Sequence, residues 1–537
     1  MSAKTGKENP RPADKFLPAL FCLLIAGAAF IFGWHLIGEG DFLWHLKTGE
    51  IIFSQGLPRV DLYSFRTSGR EWIDSQWLFQ LIIYLVYRWF GFAGESWLLA
   101  FLLAGIWMIL FRLVRDQAVY PVSFLAGLLA LWGSSIRFNL RPEIFSWLLM
   151  VGYLFILERD RKNRSWLIAL IPMLQLFWAN LEGLWPIGLV ILAAYLLEEV
   201  FLKFISRKER FRGLLDPSDH PDPKRILGLI IICALVSLFT PYHLQGFLLP
   251  LTLVKQVTLG SNILKSNISE FLPPIPYFRY PFVLLPFFIL IAISGASFFL
   301  NRSQPRPSHW LLWLLFLFLA LRAIRNLPFF CVYSAAAFGI NFQEWFQRQD
   351  FSARAKRCSK ILPALLGVGL YLFLLITAIR GEFYQWNKTG FKFGSGFRFD
   401  LFPVQACAFL REQGWKGKIF NQMAMSSYLI WAGYPDWKIY IDGRLEVYGG
   451  ERLKRYVNSL RDYRVFKAEE RLYNFDAVMT YNQGGAVGDF IRHLLSDPGW
   501  APVYVDDQAL IFFKDSPAQH HLVEKYRQKL ELKPAGQ

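Results

Sequence analysis

Residues 36–76 read LIGEGDFLWHLKTGEIIFSQGLPRVDLYSFRTSGREWIDSQ, and the interpretation of the whole chain depends on them. The segment follows an apolar run of membrane length and is too polar to enter a bilayer itself. Asp41 and His45 are four residues apart, so a helix that begins near Asp41 places both side chains on one face. We therefore expect an amphipathic helix at the membrane surface that carries an acid–imidazole pair. Four apolar side chains would face the lipid: Phe42, Leu43, Leu46 and Phe53.

The composition of the chain is that of a polytopic membrane protein. Hydrophobic residues make up 54% of the sequence and aromatic residues 17%, with 51 Phe and 20 Trp. The net charge of +17 is then mainly a topology signal and does not indicate nucleic-acid binding. Five cysteines and eight scattered histidines predict neither a disulfide framework nor a zinc site.

Hydropathy predicts about eleven transmembrane helices, with a range of eleven to thirteen, after a cytoplasmic tail at 1–15. The apolar segments are 16–36, 92–113, 119–136, 143–158, 165–180, 184–205, 225–241, 281–300, 309–324, 327–342 and 360–379. Residues 77–90 are also apolar, and we interpret them as an in-plane helix or as part of one bent crossing with 92–113. Clusters of Arg and Lys in alternate loops, including 206–225, place those loops in the cytoplasm and the C-terminus outside.

The C-terminal segment 380–537 predicts a small extracytoplasmic α/β domain. A helix that ends at Gly414 is followed by short apolar runs typical of buried strands: KIF, KIYID, AVMTY, PVYVD and ALIFFK. Residues 16–379 would form the membrane domain, with 37–76 as its first external loop. We find no glycine-rich loop of the type that cradles a nucleotide phosphate.

The first loop contains six carboxylates, of which Asp41 and Asp61 are candidate functional residues. Asp41 could act as a general base or hold a divalent cation, while His45 orients it or binds phosphate. The alternative is structural: Asp41 would cap a helix, and Asp61 would shape a turn after Pro58. The six carboxylates are Glu39, Asp41, Glu50, Asp61, Glu71 and Asp74.

Two external turns carry arginines suited to a phosphate ligand. Arg137, Arg141 and Glu143 lie in RFNLRPE, and Arg322 and Arg325 lie in LRAIRNLP. A guanidinium group matches phosphate with two parallel hydrogen bonds. Arginines at helix ends also extend to lipid headgroups, and that alternative stays open.

Two further motifs contain charged residues. Glu182 in WANLEGLW lies between apolar segments, where a carboxylate faces a cavity or is hydrated in a short turn. Asp442 and Arg444 in YIDGRLEVYGG follow a predicted strand at an Asp-Gly turn. They would contact substrate, or would form an ion pair within the turn.

The first loop resembles the first external loop of bacterial membrane proteins of the GT-C glycosyltransferase superfamily, in particular relatives of the protein mannosyltransferase and aminoarabinose transferase type. Other pieces resemble the same uncharacterised branch: RFNLRPEIFSWLL, WANLEGLW, ISEFLPP and IFNQMAMSSYLIWAGYPDWKIYIDGRLEVYG. This resemblance implies an enzyme of the bacterial cytoplasmic membrane that uses a polyprenyl-phosphate sugar donor. It assigns the acidic catalytic residue to Asp41.

The expected activity is therefore transfer of a sugar from a polyprenyl-phosphate donor to an acceptor hydroxyl of a glycan, lipid or protein on the outer side of the membrane. Transfer of this kind needs no nucleotide, and the sequence leaves a divalent cation open. Two other classes of function remain. A non-catalytic scaffold would bind the same lipid-linked saccharide, and a transporter or flippase would use intramembrane charges as a pathway.

Overall fold

The computed structural model describes residues 12–114, 119–206, 222–259, 269–304, 306–482 and 486–527. Most of the predicted tail 1–15 and most of the predicted cytoplasmic loop 206–225 lie outside these ranges. The chain forms two compact units. The first unit comprises Met1–Leu36, Phe92–His243 and Ser269–Gly396, and the second comprises Ile37–Gly91, Leu244–Ile268 and Phe397–Gln537. The structure thus groups the first loop with the C-terminal segment, whereas the sequence assigned it to the membrane domain.

The described part of the chain is mostly helical. Its α-helices are α1 (Pro12–Gly33), α2 (Phe42–Gln55), α3 (Trp77–Phe111), α4 (Tyr120–Ser134), α5 (Glu143–Asn163), α6 (Ile171–Leu181), α7 (Pro186–Ser206), α8 (Pro223–Val236), α9 (His243–Leu259), α10 (Pro281–Leu300), α11 (Pro307–Arg322), α12 (Leu327–Gln347), α13 (Ala353–Ile379), α14 (Glu382–Trp386), α15 (Val404–Glu412), α16 (Ser426–Gly433), α17 (Leu445–Arg461), α18 (Tyr463–Tyr473), α19 (Ala486–Ser496) and α20 (His520–Tyr526).

Among the described residues, three helices are long and apolar enough to cross a membrane: Trp77–Phe111, Pro281–Leu300 and Arg357–Ile379. Four shorter apolar helices accompany them: Pro18–Gly33, Trp166–Leu181, His243–Val254 and Pro307–Arg322. These helices agree with the composition of a membrane protein, and the membrane domain with about eleven crossings stays a prediction.

Helix α3 is broken at Gly91, which has φ 60° and ψ −160°. This backbone conformation is readily available to glycine and costly for residues with a Cβ atom. The two apolar segments around this residue thus form one element with a break, as in the bent alternative expected from the sequence. Whether residues 77–90 cross the membrane stays a prediction.

The first unit is built around α4 and α12, whose side chains are buried along most of their length. A helix that is apolar on all faces belongs in the interior of a bundle. Near one end of α12 the buried Arg306 pairs with Glu158 and Glu344, and His309 also contacts Glu158. These ion pairs connect α5, α11 and α12, since each charge has a partner on another element.

The second unit contains a five-stranded sheet in the order β2-β1-β3-β5-β4. Strand β1 pairs in parallel with β2 and β3, whereas β5 is antiparallel to β3 and β4. All the strands expected from the sequence are present, which confirms the small C-terminal α/β structure. The strands are β1 (Gly417–Asn421), β2 (Trp437–Ile439), β3 (Ala477–Tyr481), β4 (Trp500–Val505) and β5 (Ala509–Lys514).

Helix α2 packs inside the second unit, so the expectation that Phe42, Leu43 and Leu46 face lipid is wrong. All three side chains are buried, and Phe53 alone of the four is exposed. Neighbours within the unit explain the difference. The backbone N–H of Trp44 donates to Ser427 Oγ of α16 at 2.9 Å.

A buried ion-pair triad joins the first loop to the end of the sheet. Arg444 Nη2 donates to Asp61 Oδ1 at 2.7 Å and to Asp442 Oδ2 at 2.6 Å, and all three side chains are fully buried. The Arg444 guanidinium also lies over the rings of Tyr63 and Trp72, 4.8 and 4.6 Å from their centroids. A buried charge is tolerated only when it is paired and hydrogen-bonded, so these partners depend on one another.

Arg444→Met is expected to destabilise the second unit by about 3 to 5 kcal/mol, because two carboxylates remain buried without their cation. Limited proteolysis of the purified protein over a temperature series, with fragments of residues 397–537 identified by mass spectrometry, measures the change. The matched control is Arg464→Met. Arg464 pairs with Asp462 at the same sequence spacing but with its side chain 92% exposed, and no change is expected there. Equal melting of both variants would contradict a stabilising triad.

Candidate active site

Asp41 immediately precedes α2 in the second unit. It occupies the N-cap position, but its side chain makes no capping hydrogen bond to the helix. Oδ1 instead accepts a hydrogen bond from Trp44 Nε1 at 3.3 Å, and the residue is partly exposed. The structural alternative of a side-chain N-cap is therefore not realised, although Asp41 occupies the N-cap position.

The backbone of Gly443 lies directly against the Asp41 carboxylate. A Cβ atom added to Gly443 would be 2.3 Å from Asp41 Oδ1 and 3.1 Å from its Cγ. Gly443 stands between Asp442 and Arg444 of the buried triad. The turn after β2 therefore contributes to the immediate surroundings of Asp41.

His45 is buried beneath this site. Its ring lies against that of Trp44 at a tilt of 30°, with 3.6 Å between centroids, and meets the Phe79 ring edge-on. Its Nδ1 lies 3.4 Å from Nε2 of Gln80, which also donates to Asp74 Oδ1 at 3.1 Å. This burial favours an orienting role for His45 over direct phosphate binding.

Asp74 has an unusual environment for a carboxylate. Burial raises its pKa to about 7, and Glu446 also raises it, while hydrogen bonds from the Gln76 backbone and Gln80 lower it. Among the described residues, no hydrogen-bond partner is found for its Oδ2. The sequence identified Asp74 as one of six carboxylates, but nothing in its spacing distinguished it from the others.

The structure brings together three of the predicted site residues, Asp61, Asp442 and Arg444. They form the buried triad and are not part of an exposed site. Asp442 Oδ1 accepts from the backbone N–H of Arg444 at 2.9 Å, and Tyr448 Oη donates to Asp442 Oδ2 at 2.9 Å. Thr67 Oγ1 donates to Asp61 Oδ2. With their side chains fully buried, the geometry favours the structural alternative for all three, and a contact with substrate stays a prediction.

The first unit contains a second cluster, formed by arginines and glutamates. Arg137 Nη2 lies 2.7 Å from Glu143 Oε1 and 3.1 Å from Glu270 Oε2. Arg141 Nη1 donates to the same Glu270 oxygen at 2.5 Å. Arg325 Nη1 lies 3.4 Å from Glu270 Oε1, and its Nη2 lies 3.6 Å from Glu143 Oε2. Three guanidinium groups therefore surround two carboxylates.

Glu270 is the member of this cluster that sequence reasoning missed. It lies in a short 3-10 helix, Ser269–Phe271, that precedes α10 in the chain. Burial opposes its ionisation, yet Arg141, Arg325 and Arg137 together lower its pKa to about 2. The motif ISEFLPP drew attention to this segment through the resemblance alone, and no spacing rule connects it to Arg137.

Glu182 and Arg322 differ in their surroundings. Glu182 is buried between α6 and α7, where burial raises its pKa to about 7 although Arg325 and a hydrogen bond from Ser146 lower it. Its electrostatic interactions with Arg325 and Glu143 place it beside the arginine cluster. Arg322 is exposed and lies over the ring of Phe318, 5.3 Å from its centroid. That position fits an arginine that extends to lipid headgroups.

A metal ion has no preformed site in the part of the chain that the structure describes. No group of three or more His, Cys, Asp or Glu side chains there could hold one. The Asp41 carboxylate can accept a proton, and the arginine cluster can bind an anion.

Comparison with solved structures identifies the fold. The archaeal oligosaccharyltransferase AglB from Archaeoglobus fulgidus, in complex with an inhibitory peptide and a dolichol-phosphate, matches with a TM-score of 0.56 and 11% identity over 94% of this chain and 74% of that chain. The apo form of the Archaeoglobus fulgidus enzyme gives 0.53 at 11% identity over 91% and 72%, and its complex with zinc and sulfate gives 0.50 at 11% identity over 93% and 73%. No family model and no curated protein matches the chain. The chain therefore has the fold of AglB, a GT-C fold, in agreement with the superfamily resemblance of its sequence.

Proposed function

We propose that this protein is a glycosyltransferase that moves a sugar from a polyprenyl-phosphate donor to an acceptor hydroxyl on the outer side of the bacterial cytoplasmic membrane. The observation that carries the proposal is the Asp41 carboxylate. On a GT-C fold, it stands partly exposed at the start of α2 without a capping bond. A carboxylate of this kind can accept a proton from an acceptor.

The arginine cluster supports a phosphate-containing ligand. Three guanidinium groups and two carboxylates leave one net positive charge, and Arg141 and Arg325 keep 19% and 24% of their side-chain surface exposed. Guanidinium groups bind phosphate with two parallel bonds, which a lysine cannot do. We assign donor binding to Arg137, Arg141 and Arg325, with Glu143 and Glu182 orienting them.

The solved AglB complex contains a dolichol-phosphate and a peptide. These two molecules illustrate the classes of donor lipid and acceptor that the fold accommodates. For the present chain we propose a lipid-linked donor, with a glycan, lipid or protein as the acceptor.

In the proposed reaction, the acceptor oxygen forms a bond to the anomeric carbon of the donor sugar. The bond between that carbon and the phosphate oxygen breaks, and the lipid phosphate leaves with the electron pair. Asp41 receives the proton of the acceptor hydroxyl. The lipid phosphate gains negative charge as it leaves, and fixed cations usually stabilise such charge in transfers of this kind.

Asp41→Asn is expected to reduce transfer by about 100- to 10,000-fold, since an amide cannot accept the proton at neutral pH. Expression and thermal stability should stay at the wild-type level, because the amide keeps the size of the side chain. The assay supplies a panel of radiolabelled polyprenyl-phosphate sugars to inverted and right-side-out membrane vesicles and measures label in the product. Glu50→Gln is the matched control. Glu50 lies in α2, its side chain is 45% exposed, and it forms an ion pair with Lys47 at 2.8 Å on the same helix. Full transfer activity of Asp41→Asn would remove the catalytic assignment of Asp41, whereas absence of transfer by the wild-type protein with every donor would favour the scaffold.

Arg141→Gln is expected to raise the donor KM at least about tenfold, because a charge-assisted bond to phosphate contributes roughly 1.5 to 3 kcal/mol. Arg322→Gln is the control, since Arg322 is exposed and lies on Phe318 rather than in the cluster. The same transfer assay, run over a range of donor concentrations, gives both values. Equal donor KM values in both variants would exclude the cluster as the phosphate site.

The proposed orientation places the N-terminus in the cytoplasm and the C-terminal α/β domain outside. A periplasm-dependent phosphatase fused after Gln537 should be active, and a fluorescent protein that matures only in the cytoplasm should be dark at the same position. The opposite pair of results would overturn the orientation and the external site with it.

A further inference from the structure

We propose that Gly443 is a positioning residue that fixes the Asp41 carboxylate, and that the buried Asp61–Arg444–Asp442 triad holds Gly443 in place. This inference rests on the proposed function, because it assigns a partner to the proposed base. It gives the motif IDGR a role in catalysis without any contact with substrate.

Gly443 lies so close to the Asp41 carboxylate that no side chain fits at position 443. A Cβ atom on Gly443 would lie 2.3 Å from Oδ1, 3.1 Å from Cγ and 3.4 Å from Oδ2 of Asp41. The backbone of Gly443 does not adopt the left-handed conformation that would by itself require glycine. Glycine is therefore needed here for space, and the atoms that occupy this space are those of the proposed base.

Trp44 holds the same carboxylate oxygen from another direction. Its indole Nε1 donates to Asp41 Oδ1 at 3.3 Å, and its ring is buried against His45. Oδ1 is thus bracketed by a donor on α2 and by the backbone of the turn after β2. Two contacts from separate elements restrict rotation of the carboxylate more than either does alone.

The turn that presents Gly443 is itself held by buried bonds on both sides. Asp442 Oδ1 accepts from both the backbone N–H and Nε of Arg444, each at 2.9 Å. The guanidinium of Arg444 then reaches Asp61 of the first loop at 2.7 Å. Since the side chains of Asp61, Asp442 and Arg444 are fully buried, the position of Gly443 is fixed by strong bonds in a water-free setting.

The chemical consequence follows from the geometry that a general base requires. Proton transfer needs the carboxylate within hydrogen-bond reach of the acceptor hydroxyl. A misplacement of about 1 Å can cost on the order of 100-fold in rate. A methyl group at Gly443 would force a displacement of this size, because Cβ contacts under 3.0 Å essentially never occur.

The decisive experiment compares Gly443→Ala with Gly40→Ala in the full-length protein. A Cβ atom on Gly40 meets no atom within 4 Å outside its chain neighbours Glu39 and Asp41, so this control adds the same methyl group next to Asp41 in the sequence without a clash against another element. We expect Gly443→Ala to lower kcat about 100-fold with an unchanged donor KM, and Gly40→Ala to retain wild-type values. Radiolabelled polyprenyl-phosphate sugars serve as donors, and the thermal midpoint is measured in parallel.

Trp44→Phe is the second variant, because it removes the N–H donor and keeps an aromatic ring. A lower kcat at unchanged donor KM in this variant is expected as well. If Gly443→Ala lowers the thermal midpoint, as Arg444→Met is expected to do, its kcat is no test of positioning. In that case the kcat of Trp44→Phe is the test, and a wild-type kcat in Trp44→Phe overturns the inference. Wild-type kcat in a stable Gly443→Ala protein also overturns it.

The two proposals fail in different ways. If Asp41→Asn is inactive while Gly443→Ala and Trp44→Phe have wild-type kcat, Asp41 remains the base and only the positioning role is lost. If Asp41→Asn is fully active, Asp41 is not the base and the positioning role is lost with it, and if the wild-type protein transfers no sugar, the proposed function itself is lost.

Discussion

The buried Asp61–Arg444–Asp442 triad is the interaction on which the second unit depends. Removing three charges from water is costly, and the mutual attraction compensates only when nearly every oxygen and N–H finds a partner. Tyr448, Thr67 and the Arg444 backbone supply further bonds. Residues 61 and 444 are 383 positions apart in the sequence. This arrangement can therefore form only when the first loop packs against the sheet. The triad therefore contributes specificity, because any other docking would leave charges unpaired.

The two clusters use the same chemical groups for different purposes, and exposure decides between them. In the second unit one arginine lies between two carboxylates with its side chain fully buried, which leaves a net charge of −1 and no access for a ligand. In the first unit three arginines surround Glu143 and Glu270. Between 10% and 24% of the surface of each arginine side chain is exposed. A cluster with an excess of cations and partly exposed side chains can bind an anionic ligand, whereas the fully buried triad suits a structural role.

Much of the architecture could be predicted from the sequence because local patterns specify it. Short apolar runs identified the strands, and the Asp-Gly pair identified the turn that holds Gly443. The spacing of Arg137 and Glu143 brought two cluster members together within one motif. Glu270 was missed because its partners lie 129 and 133 positions away, and periodicity does not reach that far. The burial of Leu43 and Leu46 was missed for a related reason. An apolar helix face looks the same in sequence whether lipid or α16 covers it.

A series of polar side chains connects a buried carboxyl to the indole that donates to Asp41. Asp74, Gln80 and His45 follow one another at hydrogen-bonding distances of 3.1 and 3.4 Å, and the His45 ring lies against that of Trp44, which donates to Asp41. Burial raises the pKa of Asp74 to about 7, so near neutral pH this carboxyl changes between an acceptor and a donor. Gln80 must keep its amide N–H toward Asp74 in the ionised state. That orientation also leaves Nε2 facing His45 Nδ1, which restricts the imidazole to the ring position that supports Trp44. A series of hydrogen bonds and ring contacts thus connects the buried Asp74 carboxyl to the indole that donates to Asp41, so the protonation state of Asp74 bears on the surroundings of Asp41.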